Sequence, residues 1–371
     1  MKLRFQKDAI VNGINIVMKA VPSKTTMSIL ECILIDASTN EIKLTGNDME
    51  LGIETRVEGD ILEHGKIALD AKLFSEITRR LSSENASVTI ESDDKFNTTI
   101  SCENSVFNIQ GRDGEEFAYL PYIEKDKYIC LSQFTLKEVI QQTIFSISPN
   151  DSNKMMAGEL FEVNENQLKV VSLDGHRISI RKVRLKDHYE DTKVIVPGKT
   201  LSEVSKILGG DNEKEVLIYF STNHILFEFD NTIVVSRLIE GEYFRISQML
   251  SSDYETKVII HKKELLDCID RATLLIKEGD KKPIIINITD GSMELKINST
   301  VGSMDEEIDI EKRGKELMIG FNPKFLIDAL RVIDDETITI YLVNPKAPCF
   351  IRDEENNYIY LILPVNFTTV S

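Results

Sequence analysis

The segment LKVVSLDGHRISIRKV, residues 168–183, alternates apolar and polar residues on both sides of Asp174-Gly175. Such alternation around an Asp-Gly dipeptide predicts a β-hairpin whose turn lies at that dipeptide. The turn also brings together an acid, a base and a guanidinium in Asp174, His176 and Arg177, a set that general acid–base chemistry could use. The choice between architecture and an active site depends on whether the pattern recurs in the chain.

The pattern occurs three times. IKLTGNDMELGIETRV begins at Ile42 and LKINSTVGSMDEEIDI at Leu295, so the three copies are offset by 126 and 127 residues. Each copy opens with an apolar-Lys-apolar triplet, passes a turn and returns as an alternating strand. Asp174 aligns with Asp48 of the first copy, but only the middle copy carries His-Arg at the turn. The hairpin is therefore predicted to be architecture, and a hydrolase that uses the three polar side chains of the middle turn is the first alternative function.

Two amphipathic helices recur at the same interval in each third of the chain. Apolar residues fall at helical spacing, as they do at Leu73, Ile77 and Leu81. Two helices with many short strands per repeat predict an α+β fold in which helices pack on antiparallel sheets. Because each repeat is large enough to hold its own core, we predict three similar domains, residues 1–127, 128–253 and 254–371. The predicted helices are 6–20, 70–81, 136–147, 199–207, 262–277 and 324–333.

Charge is distributed unevenly along the chain. The 371 residues carry a formal net charge of −17, which by itself argues against a nucleic-acid partner, because duplex binding uses Lys and Arg to displace counterions. The six predicted helices, however, contain 14 Lys and Arg against 9 Asp and Glu. Since each helix buries one stripe and exposes the other, these cations are expected to share one exposed surface, although ordinary solvated helix faces would give a similar count.

Motifs for nucleotide or metal chemistry are incomplete. VIVPGKT at 194–200 has Lys193 where a phosphate-binding loop requires glycine, and its recurrence as IALDAKL and IGFNPKF predicts a strand-to-helix corner. The five histidines are isolated and the five cysteines lie one by one, which predicts reduced thiols, no metal site and no cofactor. No apolar run approaches the roughly 20 residues of a membrane span, and the N-terminal segment does not resemble a signal peptide, so a cytoplasmic protein is expected.

Taken together, LTGNDMEL, VSLDGHRI, VIVPGKT, IGFNP and the terminal YLILPV closely resemble the bacterial DNA polymerase III β subunits, the sliding-clamp family. The resemblance covers essentially the whole chain in the same order. It implies a non-catalytic processivity factor in which two copies join head to tail and their six domains form a ring around double-stranded DNA. It also implies that the replicative DNA polymerase alpha subunit, the clamp loader, other polymerases and mismatch-repair proteins dock through short peptides, with no membrane partner.

The resemblance implies three sets of site residues. The DNA-contacting set is Lys24, Lys72, Asn150, Lys154 and Lys199, with the helix residues Arg79, Arg80, Lys206 and Arg331 as further candidates. The partner-peptide groove between the second and third domains maps to Met156, Leu173, Gly175, His176, Arg177, Ile178, Phe244, Met249, Asn322, Phe325, Leu361, Leu363, Pro364 and Val365. The dimer interface places an edge strand with Phe107 and Ile109 against Leu274 and Leu275 of the other copy.

Four positions depart from the family's pattern. Phe244 stands where a proline is common and Gln248 where an arginine is, so partner preference is expected to differ. Asn104 and Val106 do not fit the basic residues that relatives often carry on the first domain's edge strand, which predicts a more apolar or weaker interface. A monomeric three-domain adaptor that binds peptides and no DNA is the second alternative function.

Overall fold

The structure is a computed structural model and describes residues 1–81, 86–148, 153–277 and 282–367. The chain forms two compact units, Met1–Lys137 with Lys199–Leu238 and Glu138–Gly198 with Ile239–Ser371. The middle third of the sequence thus contributes to both units, whereas the predicted domain limits follow the sequence repeat and stay a prediction. None of the helices in the described ranges combines the length and apolar character that a membrane span requires.

Six α-helices of the described residues lie at the six predicted places: α1 (Lys7–Val17), α2 (Ala71–Arg80), α3 (Gln133–Thr143), α4 (Gly198–Ile207), α5 (Lys262–Thr273) and α6 (Pro323–Val332). α1 continues as a 3₁₀ turn at Met18–Ala20, and α3 begins before its predicted start. Asp70 Oδ1 accepts from Leu73 N at 2.7 Å, and this bond caps α2. α4 directly follows a strand, as the corner prediction for VIVPGKT requires.

The first unit contains two antiparallel sheets. The five-stranded sheet has the order β5 (Asp60–Glu63), β1 (Lys2–Gln6), β7 (Ser87–Ser92), β8 (Asn97–Cys102) and β9 (Ser105–Gln110). The nine-stranded sheet has the order β10 (Arg112–Asp113), β6 (Lys66–Asp70), β2 (Cys32–Asp36), β3 (Ile42–Asn47), β4 (Leu51–Val57), β16 (Thr232–Arg237), β15 (His224–Phe229), β14 (Glu215–Phe220) and β11 (Tyr128–Ser132). β9 and β5 are therefore the edge strands of the smaller sheet.

The second unit also contains two antiparallel sheets. The seven-stranded sheet has the order β12 (Gly158–Leu173), β13 (Arg177–Pro197), β25 (Tyr358–Ile362), β24 (Cys349–Arg352), β23 (Thr337–Leu342), β17 (Thr256–His261) and β21 (Glu311–Gly314). The four-stranded sheet has the order β20 (Ser303–Asp309), β19 (Ser292–Asn298), β18 (Ile284–Ile288) and β22 (Leu317–Phe321). β20 is an edge strand of the smaller sheet.

The three repeated segments form the three predicted hairpins, β3–β4, β12–β13 and β19–β20. Pairing between strands also crosses from one sequence repeat to the next. Val234 of β16 pairs with Ile53 of β4, and Ile178 of β13 pairs with Leu361 of β25. The large sheets thus join the middle third to the first third in one unit and to the last third in the other, which explains why the compact units divide the middle repeat.

Strand β25 separates two apolar clusters in the second unit. Tyr360 and Ile362 belong to the larger cluster, which includes the buried faces of α5 and α6. Ile359 and Leu361 belong to a smaller cluster, because alternate residues of a strand point to opposite faces. Each Leu or Ile fully buried in such a cluster contributes about 2 kcal/mol to the free energy of unfolding.

Candidate functional site

The turn at Asp174-Gly175 closes the β12–β13 hairpin. Asp174 Oδ1 accepts hydrogen bonds from His176 N at 3.0 Å and from Arg177 N at 3.1 Å, so the carboxylate caps the turn. Gly175 has a φ of 86°, which residues with a Cβ rarely adopt. The prediction of a hairpin turn at this dipeptide is confirmed.

Arg177 is held from three directions and is only 7% exposed. Nε donates to Asp174 Oδ2 at 3.0 Å, Nη1 to Asp328 Oδ2 at 2.6 Å, and Nη2 to the carbonyl of Phe145 at 2.5 Å. The guanidinium carbon also lies 4.5 Å from the ring centroid of Phe325. Because each nitrogen has an acceptor within the protein, Arg177 acts as a structural clamp.

His176 is exposed beside the turn and stacks on Phe325, with 6.0 Å between ring centroids and 22° between ring planes. Its carbonyl accepts a hydrogen bond from Leu363 N at 2.9 Å. Two residues further on, Val365 N donates to the carbonyl of Gly320 at 2.8 Å. These backbone bonds fix the segment after β25 beside the turn and beside β22.

The buried floor of the predicted groove is formed by Leu173, Ile178 and Leu361, which are 5%, 6% and 3% exposed. They lie at one level of three neighbouring strands, since Ile178 pairs with both Leu173 and Leu361. Met156 and Phe244 pack, partly buried, against the same cluster. The structure therefore brings together five residues that the sequence places in four separate segments.

Exposed apolar side chains adjoin this floor. Met249 is 55% exposed at the end of the 3₁₀ turn Ile246–Met249, and Leu363 and Val365 are each 37% exposed. Apolar surface of this kind beside an apolar floor is typical of a peptide-binding groove. Pro364 lies half-buried between Leu363 and Val365. Asn322 has a structural role: its Oδ1 accepts a hydrogen bond from Lys324 N at 3.0 Å and so caps the N-terminus of α6.

Of the predicted DNA-contacting residues, Lys24, Lys72, Lys154 and Lys199 lie in the described ranges with exposed side chains, and Asn150 lies outside the described residues. No described carboxylate is within ion-pair distance of Lys24, Lys72 or Lys154. The further helix candidates are engaged: Arg79 bonds Asn15, Arg80 pairs with Glu76, Lys206 with Glu203 and Arg331 with Asp270. Among the predicted candidates, the three unpaired lysines are therefore the cations most available to an anion.

Lys199, at the start of α4, donates to Asp48 Oδ2. Asp48 Oδ1 accepts from the backbone nitrogens of Glu50 at 3.0 Å and Leu51 at 2.7 Å. Asp48 thus repeats the arrangement of its sequence counterpart Asp174: one carboxylate oxygen closes the turn and the other binds a cation. The carboxylate offsets part of the positive charge at Lys199.

The predicted dimer residues lie at the edges of two sheets or beside them. β9 is an edge strand, where Phe107 is 38% exposed and Ile109 is half-buried. Leu274 follows α5 directly and is 80% exposed, whereas Leu275 packs partly buried against the larger cluster. Unpaired edge strands with exposed apolar side chains are able to recruit another strand.

Metal and thiol chemistry find little support in the described residues. No group of three or more His, Cys, Asp or Glu side chains is placed there to hold a metal ion. All five cysteines are free. Burial raises the pKa of Cys32 to about 11 and that of Cys349 to about 12, so both remain protonated thiols at neutral pH.

Three family models match consecutive parts of the chain: the N-terminal, central and C-terminal domains of the DNA polymerase III beta subunit, at residues 1–121, 130–245 and 247–366. The chain belongs to the DNA polymerase III beta subunit family. A beta sliding clamp of Staphylococcus aureus is 34% identical over 376 residues, which cover 98% of this chain and 99% of that protein. A putative DNA polymerase III beta subunit from Eubacterium rectale shares 67% identity with a TM-score of 0.96, and a DNA polymerase sliding clamp from Bacillus subtilis shares 34% with a TM-score of 0.95. Both structures match over 99% of this chain and 100% of theirs.

Membership of the beta subunit family decides the class of function. The family is that of the sliding clamp, the non-catalytic processivity factor of DNA polymerase III, and the chain has its three clamp domains of helices on antiparallel sheets. The hydrolase alternative is therefore wrong. Its three polar residues form a capped turn in which Arg177 is buried and each of its side-chain nitrogens donates a hydrogen bond.

The sequence analysis did not predict two of the residues that hold Arg177 in place, Asp328 and Phe145. Asp328 lies three residues after Phe325 on α6, so the two side chains project from the same helix face. That spacing was the available signal. Phe145 contributes a backbone carbonyl, whose direction no sequence pattern gives.

Proposed function

We propose that two copies of this chain close head to tail into a ring around double-stranded DNA, and that partner proteins dock in the groove at the Asp174–Arg177 turn. The observation that carries the docking proposal is the buried apolar floor of Leu173, Ile178 and Leu361 beside exposed apolar side chains. A protein that works on the bacterial chromosome in this way acts in the cytoplasm. The three repeats, residues 1–127, 128–253 and 254–371, are the proposed domains of the ring.

The groove suits a short extended peptide with apolar anchors. The floor receives an apolar side chain, and Met249, Leu363 and Val365 lose apolar surface to water when a peptide covers them. The proposed sources of such peptides are the replicative DNA polymerase alpha subunit, the clamp loader, other polymerases and mismatch-repair proteins. Phe244 adds a ring against the floor, and Gln248 is an exposed neutral side chain, so the preferred peptides differ from those of relatives with proline and arginine there.

Competition with a fluorescent clamp-binding peptide tests the groove. Met249→Ala and Pro364→Ala each remove apolar surface at the groove, and a truncation at such an anchor commonly costs more than about 1 kcal/mol. We expect each to weaken binding by about fivefold or more, and Lys72→Ala, in the other compact unit, to leave binding unchanged. Equal affinities for all three variants and the unchanged chain would contradict the docking site.

Contacts with DNA are proposed to be few and independent of sequence. Lys24, Lys72, Lys154 and Lys199, with Asn150 as a neutral polar neighbour, are proposed to touch phosphates, which position a protein without reading bases. Weak salt-screened contacts allow sliding, and the closed ring prevents escape.

Release from nicked circular DNA tests encirclement. The chain is loaded by a clamp loader, and its retention is followed before and after the circle is linearised. A ring stays on the circle and slides off the cut ends. A monomeric adaptor is not retained on either DNA, and a conventional DNA-binding protein leaves both at the same rate.

The ring is proposed to close through sheet edges. Phe107 and Ile109 of β9 in one copy meet Leu274 and Leu275 of the other, and edge strand β20 is available to continue the sheet. Such a contact joins two different surfaces, and it closes because two copies complete the circle.

A further inference from the structure

A cavity of about 270 Å³ lies in the second compact unit, next to the groove floor. Its apolar wall is Leu250, Phe350 and Ile359, all members of the cluster that contains the floor or packed against it. Its polar lining is Lys182, Ser251, Ser252, Arg352 and Asn356. None of these residues belongs to the predicted groove, so the cavity is a separate site.

Strand register places the cavity and the groove on one sheet face. Ile359 of the cavity and Leu361 of the groove floor lie two residues apart on β25, which is about 7 Å along the strand. Ile359 pairs with Arg352 on one side and with Ile180 on the other, and Lys182 follows Ile180 on the same face of β13. An extended peptide in the groove reaches the cavity with about two further residues.

Two cations line the cavity without a carboxylate partner. Within the described ranges, no carboxylate lies at ion-pair distance from Lys182 or Arg352. The Arg352 guanidinium is held in place, since its carbon lies 4.5 Å from the ring centroid of Tyr341 and its Nη2 donates to the carbonyl of Ser252 at 3.3 Å. The cavity lining therefore contains two cations and no carboxylate, and the Arg352 guanidinium has a fixed position.

The carboxylates of the loop beside the cavity bond Asn357 and do not line the cavity. Asp353 and Glu355 both accept from Asn357 Nδ2, each at 3.0 Å. Asn356 lines the cavity, and its buried Oδ1 has no hydrogen-bond partner among the described residues. Because the Asn356 Oδ1 has no other partner, it can accept a hydrogen bond from the backbone N–H of a bound peptide. A simple anion has no such N–H to donate.

We propose that this cavity is an accessory subsite for an acidic residue of the peptide bound in the groove. The carboxylate lies between Lys182 and Arg352, and the methylene carbons of the residue contact Leu250 and Ile359. The volume suits one side chain, since pockets for drug-sized ligands commonly have about 300–1,000 Å³. The inference rests on the proposed groove and adds a charge requirement to its peptides.

Matched peptides test the subsite. Each labelled peptide carries the same Leu-Phe anchor, with Glu or Gln two residues before or after it, and binding to the full chain is followed by fluorescence anisotropy in low salt. We expect one of the Glu peptides to bind about fivefold more tightly than its Gln partner, as an ion pair of about 1 kcal/mol gives. Lys182→Met, which keeps the apolar stem, abolishes the preference. Met249→Ala weakens both peptides equally.

A small acid separates failure of the subsite from failure of the groove. Binding of 4-phenylbutyrate and of 4-phenylbutyramide is measured by ligand-observed NMR, which requires no occupied groove. The acid binds the unchanged chain at least about fivefold better than the amide, and the difference disappears in Lys182→Met and Arg352→Met. Equal binding of Glu and Gln peptides, or a preference that survives Lys182→Met, overturns the subsite. If no peptide binds, the groove proposal fails, and equal binding of acid and amide then overturns the subsite by itself.

Discussion

Asp328 and Arg177, 151 residues apart in the sequence, form an ion pair with 2.6 Å between Oδ2 and Nη1. Their side chains are 20% and 7% exposed. The pair connects the hairpin turn of the middle third with α6 of the last third. Because α6 also carries Phe325, which stacks on Arg177, the ion pair fixes the turn and the helix relative to each other beside the groove floor.

Removing the Asp328 carboxylate tests how much the ion pair contributes to the stability of the folded chain. Asp328→Ala leaves a largely buried guanidinium with an unpaired nitrogen, which costs about 3 kcal/mol of unfolding free energy. Urea denaturation measures the change, and we expect the same variant to bind a groove peptide more weakly. Glu354→Ala, an exposed carboxylate on a loop of the same unit, is the control. An unchanged denaturation midpoint for Asp328→Ala would show that the pair is dispensable.

Charge reversal tests the unpaired lysines as DNA contacts. Lys24→Glu with Lys72→Glu is expected to reduce retention on DNA, since each lost phosphate contact lowers the slope of log K against log salt by about 0.9. Anisotropy of a labelled duplex at several salt concentrations gives the slope. Lys346→Glu with Lys95→Glu, at two exposed lysines outside the predicted set, serves as the matched double reversal. If the slope falls by the same amount in the control, the change in net charge explains the effect and Lys24 and Lys72 are not specific DNA contacts.

The Asp48 carboxylate is expected to weaken DNA binding through Lys199. Asp48→Asn keeps an oxygen that accepts from Glu50 N and Leu51 N, but it removes the charge paired with Lys199. We expect a several-fold gain in duplex affinity. The slope of log K against log salt should become steeper by about 0.9, the value for one added phosphate contact. Adding Lys199→Ala cancels the gain. A gain that persists in the double variant would assign the effect to another group.

A charge on strand β9 is expected to open the ring. Phe107→Asp places an unpaired carboxylate in an apolar contact, so light scattering should report 42.2 kDa in place of twice that mass. Leu62→Asp is the matched control, because Leu62 is 45% exposed on β5, the other edge strand of the same sheet. Dissociation by both variants, or by neither, would count against β9 as the specific contact.

Glu159 makes stability depend on pH. Complete burial raises the pKa of its carboxyl well above 4.5, and the bond from Thr143 Oγ1 at 3.1 Å offsets this only in part. The folded chain therefore keeps a proton that the unfolded chain has released, so unfolding free energy is greatest below about pH 4.5 and falls as pH rises toward the folded pKa.

Glu159→Gln removes this titration. Its gain in unfolding free energy is expected to be larger at pH 8 than at pH 5, by at most about 1.4 kcal/mol for each pH unit between the two pKa values. Denaturation at both pH values measures it. Glu354→Gln should show no such difference. An identical effect of Glu159→Gln at both pH values would exclude the buried proton.

The sequence by itself determined the repeats, the three hairpins and the six helices. Each depends on near neighbours: a period of two around Asp174-Gly175, a period near 3.6 at Leu73, Ile77 and Leu81, and two recurrences at almost equal intervals. These local patterns were sufficient to identify the family. The placement of Leu361 beside Leu173 and Ile178 came from the resemblance, since the predicted hairpin brings only Leu173 and Ile178 together.

Only the tertiary structure decided which charged groups meet. Arg177 and Asp328, and likewise Lys199 and Asp48, are joined across 151 residues because strands pair between repeats, β13 with β25 and β16 with β4. Strand order depends on the whole core, and a composition count cannot tell a paired lysine from a free one. The same long-range pairing sets Ile180 opposite Arg352 across β25, so Lys182, two residues after Ile180, reaches the same cavity.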